Sequence, residues 1–406
     1  MPALVGGCRV CGGLLPRIPE RRGGFLGSAR IRSSDVREFG MVLRGVQVAR
    51  RVLLAGGLAA TAVGASGIPV WASSRRAAPE ILSTSEWKAR EPSSPVQVLD
   101  QRPVKIVVHH TASANSEDTS QEHAMELARQ IQDFHMDSNG WLDTGQNFTN
   151  SRGGWLLEGR HKSLAVLTAG EQHVLGAHAG EQNSVSLGIE NEGTYVDAQV
   201  PDALWDSLVE LCSYMVAQYG IDAGEIYGHR DFMATECPGD VLYARLPELR
   251  EAVGAATGKA VAQPVVWPLL QPDVRGPRVT ALQLLLRARG ESVPVDGVFA
   301  GRTQEVAGRL AAEWGAVGAS CSATRIPEPG LFGGRGWDGL VPEVGPGSAG
   351  DAVRAVQTLL ISRGRYVPAD ARFADRTVSV VREFQAAAGL PVTGVVDRAT
   401  WLRLLG

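Results

Sequence analysis

The segment VTALQLLLRARGESVPVDGVFAGRTQEV, from Val279, and the segment VRAVQTLLISRGRYVPADARFADRTVSV, from Val353, match without a gap at about half their positions. Self-similarity of this kind marks a duplicated structural unit, and it restricts the last third of the chain to two copies of one small fold. The shared skeleton is Gln283/Gln357, Gly290/Gly364, Pro294/Pro368, Asp296/Asp370, Phe299/Phe373 and Thr303/Thr377. Each copy reads as a helix, a glycine-ended turn, a short loop and a second helix starting near Thr303 or Thr377. A W-x-x-L element closes each, Trp337 to Leu340 and Trp401 to Leu404, and the first copy carries a longer insertion before its closure. Gln283 and Gln357 sit on otherwise apolar helices, where most such residues are solvated and a few bind ligand.

The rest of the chain is built differently. Ile106-Val107-Val108 is a β-branched run suited to a buried strand, and Leu187-Gly188-Ile189 suggests another. Apolar residues at helical spacing run from Ala124 to His135 and from Ala203 to Gly220. Cys212 falls within the second of these helices, where a small buried hydrophobe is expected. A hydrophobic share of 44% and a charged share of 20% exclude wholesale disorder. The formal charge of −3 argues against capture of nucleic acid or of an anionic membrane. Cys8 and Cys11 form a CxxC with no second pair, a weak metal signal. Only Cys212, Cys237 and Cys321 follow Val70, which disfavours a disulfide framework while leaving a Cys212–Cys321 bond open.

Residues 52–70 form an uncharged apolar run preceded by Arg44, Arg50 and Arg51 and followed by Trp71-Ala72-Ser73. Charged flank, apolar core and small-residue exit are the parts of a secretory signal, and Arg50-Arg51 is similar to a twin-arginine export motif. An uncleaved anchor is the alternative, since length alone permits a span. Met41 is well placed as a start, which makes residues 1–40 a non-native or dispensable extension.

The chemistry-bearing residues are His109-His110 after the first strand, and His229 and Cys237 bracketing the loop HRDFMATEC. Imidazole and thiolate are natural zinc ligands, and three protein ligands leave a fourth position for water. Strand alternation sends His109 and His110 to opposite sides, so only one of them can reach a metal. By spacing alone, a buried hydrogen-bonded histidine is the commoner outcome.

The stretches VVHHTAS, FHMDSNGWLDTGQNF, EGRHKSL, GAHAGEQNSVSLGIENEGTY and YGHRDFMATECPG occur in that order. Together they resemble the amidase family shared by peptidoglycan recognition proteins, phage lysozyme-type amidases and cytoplasmic muropeptide amidases. The resemblance implies an α/β fold, a mixed central sheet flanked by helices, with Zn2+ held by His109, His229 and Cys237. Gln146 departs from the pattern, because many relatives place a tyrosine there; it becomes a substrate-groove position. GIENEG resembles the stretch that carries a catalytic glutamate in muropeptide amidases, which places Glu190 as general base, with Glu192 pointing away. Thr235, two residues before Cys237, could donate to the oxyanion or make a local turn bond. His178 and Asn183 are expected to line the substrate groove.

The terminal repeats resemble peptidoglycan-binding modules, two small all-α three-helix units. The second copy fits well, through Gly350-Asp351, Gln357, Phe384-Gln385, Gly389-Leu390 and Thr400-Trp401, whereas the first shows Arg309-Leu310 in place of the FQ pair. The expected organisation is an extension at 1–40, a signal at 41–75, the zinc amidase domain at 80–256, a linker at 257–270, and modules at 271–341 and 346–406. The resemblance implies a secreted, cell-wall-associated monomer that hydrolyses the amide between N-acetylmuramic acid and L-alanine. Its partner would be peptidoglycan, glycan strand and stem peptide, with no nucleic acid and no stable membrane association. A binding protein without turnover is the alternative.

Overall fold

The computed structural model describes residues 78–317, 328 and 330–406. The extension, the signal and its arginine pair, Cys8, Cys11 and Cys321 lie outside the described residues. No helix among the described residues is long and apolar enough to cross a membrane.

The strands, in chain order, are β1 (Ile81–Leu82), β2 (Val98–Leu99), β3 (Lys105–His110), β4 (Phe148–Asn150), β5 (Leu156–Glu158), β6 (His173–Val174), β7 (Ser186–Asn191) and β8 (Ile226–Gly228). Six of them form one sheet in the order β1-β5-β4-β7-β3-β8, and β2 pairs with β6 alone. The large sheet is mixed. β7 and β8 run parallel to β3, β4 runs parallel to β7, and β4 and β5 are antiparallel. Around it lie α1 (Gln121–Asp133), α2 (Ser163–Ala169), α3 (Asp202–Tyr219), α4 (Asp240–Ala244) and α5 (Leu246–Thr257). α1 starts three residues earlier than its apolar spacing suggests, because the Ser120 hydroxyl caps it by accepting from the His123 N–H.

The two faces of the sheet have different fates. Ile106, Val108, Phe148, Leu156, Leu187, Ile189 and Ile226 alternate onto one face and are sealed by α3 and α5, with Cys212 buried among them. Each such side chain contributes about 1.5–3 kcal/mol when fully buried. On the other face, α1 covers only the β1–β5 end, where Leu82 and Leu157 meet Ala124 and Ala128. The β7–β3–β8 end of that face is left for polar side chains.

The loop from α1 to β4 that borders this face is pinned by one buried carboxylate. Asp143 accepts from Gln132 Nε2 at 2.8 Å, from the Thr144 N–H at 2.8 Å, and from the His161 N–H and Nδ1 at 2.9 Å each. Burial pushes the Asp143 carboxyl up, but the bonds from His161 and Gln132 outweigh it and the net shift is downward. The same contact raises the His161 imidazole.

The C-terminal region is helical: α6 (Pro277–Ala288), α7 (Gly301–Glu313), α8 (Gly334–Leu340), α9 (Asp351–Ser362), α10 (Asp375–Ala387) and α11 (Arg398–Leu405). The repeats pack α6 against α9 and share one continuous apolar core. Gln283 and Gln357 are neither solvated nor open to a ligand. Each is fully buried, and its carboxamide donates to Asp296 or Asp370 while accepting from the N–H of Gly297 or Ala371. Each carboxamide also reaches Thr303 Oγ1 or Thr377 Oγ1. The repeated Gln, Asp and Thr are therefore one internal staple, present twice. Gln385 makes a further staple of the same form, donating to Thr400 Oγ1 at 3.1 Å and accepting from the Gly394 N–H at 2.9 Å. Residues 259–269 carry no helix or strand, yet they are packed down. Val261 lies against the sheet core, Gln263 Oε1 accepts from Arg250, and Trp267 enters the repeat core.

Two outcomes follow from these contacts. Gln357→Ala strands the Ala371 N–H and empties part of the repeat interior, so chemical denaturation should show a loss of about 2–4 kcal/mol in the helical region. For the Asp143–His161 pair, the raised imidazole stabilises the fold below the unfolded histidine value near ~6.5 and ceases to do so as pH climbs through its folded value. The lowered carboxylate requires pH above about 4. The Tm deficit of His161→Gln should accordingly be largest near pH 5–6 and shrink at alkaline pH.

Candidate metal centre

Parallel pairing of β3 with β7 sets His109 directly opposite Glu190, and pairing of β7 with β4 sets Glu190 opposite Thr149. Residues in register share a face, so Thr149, Glu190 and His109 form a row on the side that α3 and α5 do not cover. β8 extends the row. Val108 pairs with Gly228, and the next residue on that strand is His229. His110 points to the other side, where its Nδ1 accepts from the Tyr195 N–H at 3.3 Å.

His229 opens a tight turn, His229–Asp231, fixed by the Asp231 carboxylate. That carboxylate accepts from the Gly228 N–H at 2.9 Å and from the Tyr243 hydroxyl at 2.5 Å. The chain then loops back, and the Arg230 N–H donates to the Cys237 carbonyl at 3.0 Å. Arg230 stacks on Tyr243 and pairs with Asp240 at 2.6 Å. The loop thus returns Cys237 beside the residue it started from. One ligand atom from each of His109, His229 and Cys237 lies within 4.8 Å of the others, and all three residues are buried.

Cys237 Sγ stands 3.6 Å from His109 Nδ1. Donors around a tetrahedral zinc lie roughly 3.3–3.8 Å apart, so this pair already has the spacing such an ion needs. Burial pushes the His109 imidazole down to about 4, against the pull of Cys237 and aided by His229. The neutral ring is the form that binds metal. Two imidazoles and a buried sulfur suit zinc in both number and softness.

His178 contacts the other nitrogen of His109, at 3.0 Å between His109 Nε2 and His178 Nδ1. Its ring lies flat on Gly188, where a Cβ would come within 2.4 Å of His178 Cγ. Any side chain at residue 188 would evict the ring. His178 is therefore a buried orienting partner of His109, and the expected groove position is not what the packing gives it. Asn183 is likewise occupied, with Oδ1 accepting from the N–H groups of His178 and Ala179 at 2.9 Å each. Its carboxamide oxygen holds the turn that carries His178.

Glu190 is buried, and burial together with the charge of Cys237 raises its carboxyl well above the usual range. Gln146 donates to Thr149 Oγ1 at 2.9 Å, and Thr149 is the residue in register with Glu190; Gln146 Oε1 is buried and unbonded. Glu192 does not turn away as expected. Residues two apart on a strand share a face, and Glu192 is held on the α1 side by His123 Nε2 at 2.6 Å and the Arg152 N–H at 2.8 Å. Thr235 is fully buried and accepts from the Cys237 N–H at 3.1 Å, and the Glu328 carboxylate, which accepts from the Glu236 N–H at 3.2 Å, lies beside it. The local turn bond is thus made, and a distant carboxylate joins it. Nothing in the sequence pointed to Glu328.

Residues 99–240 match the family described as N-acetylmuramoyl-L-alanine amidase, and residues 349–404 match a peptidoglycan binding domain. Peptidoglycan-recognition protein SC2 of Drosophila melanogaster is 37% identical over 164 residues, 40% of this chain and 82% of the relative. Peptidoglycan-recognition protein LB of the same organism is 30% identical over 195 residues, 46% of this chain and 79% of the relative. The solved structure titled Drosophila PGRP-LB wild-type is 31% identical, covers 41% of this chain and 92% of its own, and has a TM-score of 0.37. The chain thus belongs to the N-acetylmuramoyl-L-alanine amidase family that includes the peptidoglycan-recognition proteins, and it carries a peptidoglycan-binding module behind that domain.

Proposed function

We propose that the protein is a secreted, zinc-dependent N-acetylmuramoyl-L-alanine amidase that separates the stem peptide from the glycan of peptidoglycan. The observation that carries this reading is the juxtaposition of a buried His109–His229–Cys237 donor set with a buried carboxylate, Glu190, set opposite His109 by strand register. When bound there, zinc would polarise an amide carbonyl and acidify a water. His109, His229 and Cys237 hold the ion, and His178 fixes the ring of His109. Glu190 takes the proton from the attacking water and delivers it to the departing amine of L-alanine, so one water is consumed and the amide C–N bond is broken. A cation nearby opposes the burial effect on Glu190 and favours its ionised form, the one a base requires. Thr235, whose oxygen accepts from the Cys237 N–H, would donate its hydroxyl proton to the developing oxyanion. Gln146, bonded to the Thr149 that stands opposite Glu190, is a substrate-groove position on this reading. The second repeat would tether the enzyme to insoluble wall, raising local concentration without faster chemistry.

A second reading, recognition without turnover, is favoured by Gln146, which stands where many relatives carry tyrosine. Release of free L-alanine amino groups from purified wall separates the two. Glu190→Gln should lower that release by about 10²–10⁴-fold with metal content unchanged. Cys237→Ala should abolish both release and stoichiometric zinc. Unchanged release in both variants would remove the hydrolytic assignment, and wild-type binding of wall without release would establish the recognition reading.

A further inference from the structure

The outer side of the loop that carries His229 and Cys237 is covered by the first helical repeat. The Ala234 N–H donates to the Ala316 carbonyl at 3.4 Å, and Ala234 forms an isolated parallel bridge with Val317. Gly334, at the start of α8, lies so close to the loop that a Cβ there would stand 2.6 Å from the Phe232 carbonyl oxygen. Beside it, Arg335 pairs with Glu181 at 2.9 Å, in the turn that follows His178. Glu328 completes the contact. Its Oε2 accepts from the Glu236 N–H at 3.2 Å, and the carboxylate lies beside the Thr235 side chain.

These bonds converge on one ligand. Thr235 and Glu236 are the two residues before Cys237, and the Cys237 N–H donates to the Thr235 hydroxyl at 3.1 Å. The residue before Cys237 is therefore bonded through its backbone to Glu328, while the residue before that holds the Cys237 N–H with its own hydroxyl. A loop of this length has several ways to present a sulfur. Fixing the preceding residue from outside selects one.

We propose that Glu328, contributed by the first repeat, is a positioning residue of the metal centre: through the Glu236 backbone it holds the Cys237 sulfur at the His109–His229 pair. The first repeat on this view is a structural part of the metal site, and wall binding falls to the second. The inference rests on the zinc reading above, and loss of an outer partner of this kind typically weakens metal binding 10–100-fold.

The test uses the full chain and zinc itself, titrated against a chromophoric chelator, with hydrogen exchange of the Glu236 amide as a second readout. Glu328→Ala should weaken zinc binding about 10–100-fold and speed exchange of that amide. Glu328→Gln keeps an acceptor oxygen for the same donor and should restore both readouts to near wild type. The thermal unfolding midpoint of each variant separates local loosening from loss of the fold. If wild type binds zinc and Glu328→Ala binds it equally well, the positioning role is wrong and the zinc reading stands. Equal weakening in the Ala and Gln variants would overturn hydrogen-bonded positioning in favour of a charge effect. Should wild type bind no zinc, the metal reading falls and this inference falls with it.

Discussion

The pairing of β3 with β7 is the constraint on which the site depends. Because the two strands are parallel and in register, His109 and Glu190 must emerge side by side on one face, and a one-residue slip of either strand would turn its member of the pair into the apolar core beneath. That core is the safeguard. Ile106, Val108, Leu187 and Ile189 are all buried against α3 and α5, so a slip of β3 would exchange Ile106 and Val108 for Lys105, Val107 and His109, and a slip of β7 would exchange Leu187 and Ile189 for Ser186, Gly188 and Glu190. At about 1.5–3 kcal/mol for each aliphatic lost from the interior, either slip would forfeit a large part of the stability of an ordinary domain. The apolar face thereby enforces the polar one.

Holding such groups under cover carries its own cost, since an unpaired buried polar group loses roughly 1–3 kcal/mol. The molecule offsets it in two ways. Groups outside the donor set are tied to fixed partners: Asp231 to Gly228 and Tyr243, Asn183 to the turn of His178, Glu192 to His123. The donor set is treated differently, for its imidazoles and sulfur are crowded against one another, as in the 3.6 Å contact between Cys237 and His109. Clustered imidazole and sulfur donors are an arrangement that a shared cation suits. Preorganisation of this kind is what allows a site to bind metal without rebuilding its loops.

Sequence reasoning reached this arrangement where one side chain's period was enough. The β-branched run before His109 marked its strand, and alternation alone separated His109 from His110. The duplicated skeleton marked the helical repeats, and residues 271–341 and 346–406 as proposed units each hold three of the described helices. What escaped were contacts between segments far apart in the chain. Gly188 reads as a weak strand residue until His178, ten positions earlier, is seen lying on it. Gln283 and Gln357 look like polar interruptions because Asp296 and Asp370 are brought to them only by the turn between helices. Glu192 was misassigned through a slip in the strand period, since a residue two positions on returns to the same face. Glu328 had no signal at all: it lies 92 positions from the backbone group it contacts.

The packed segment at 259–269 changes what the repeats can contribute. A flexible tether lets a binding module search and raises the effective concentration of the attached domain over a radius set by its length. Here Val261, Gln263 and Trp267 are each fastened, so reach is exchanged for a fixed orientation. A rigid mount loses the benefit of tethering wherever the polymer cannot satisfy both sites at once, and gains most where it can. The shared core of α6 and α9 extends the same rigidity to the second repeat. On the amidase reading proposed above, an enzyme so mounted would select among wall geometries by the spacing of its two ends, a discrimination that neither the metal centre nor the repeat could make alone.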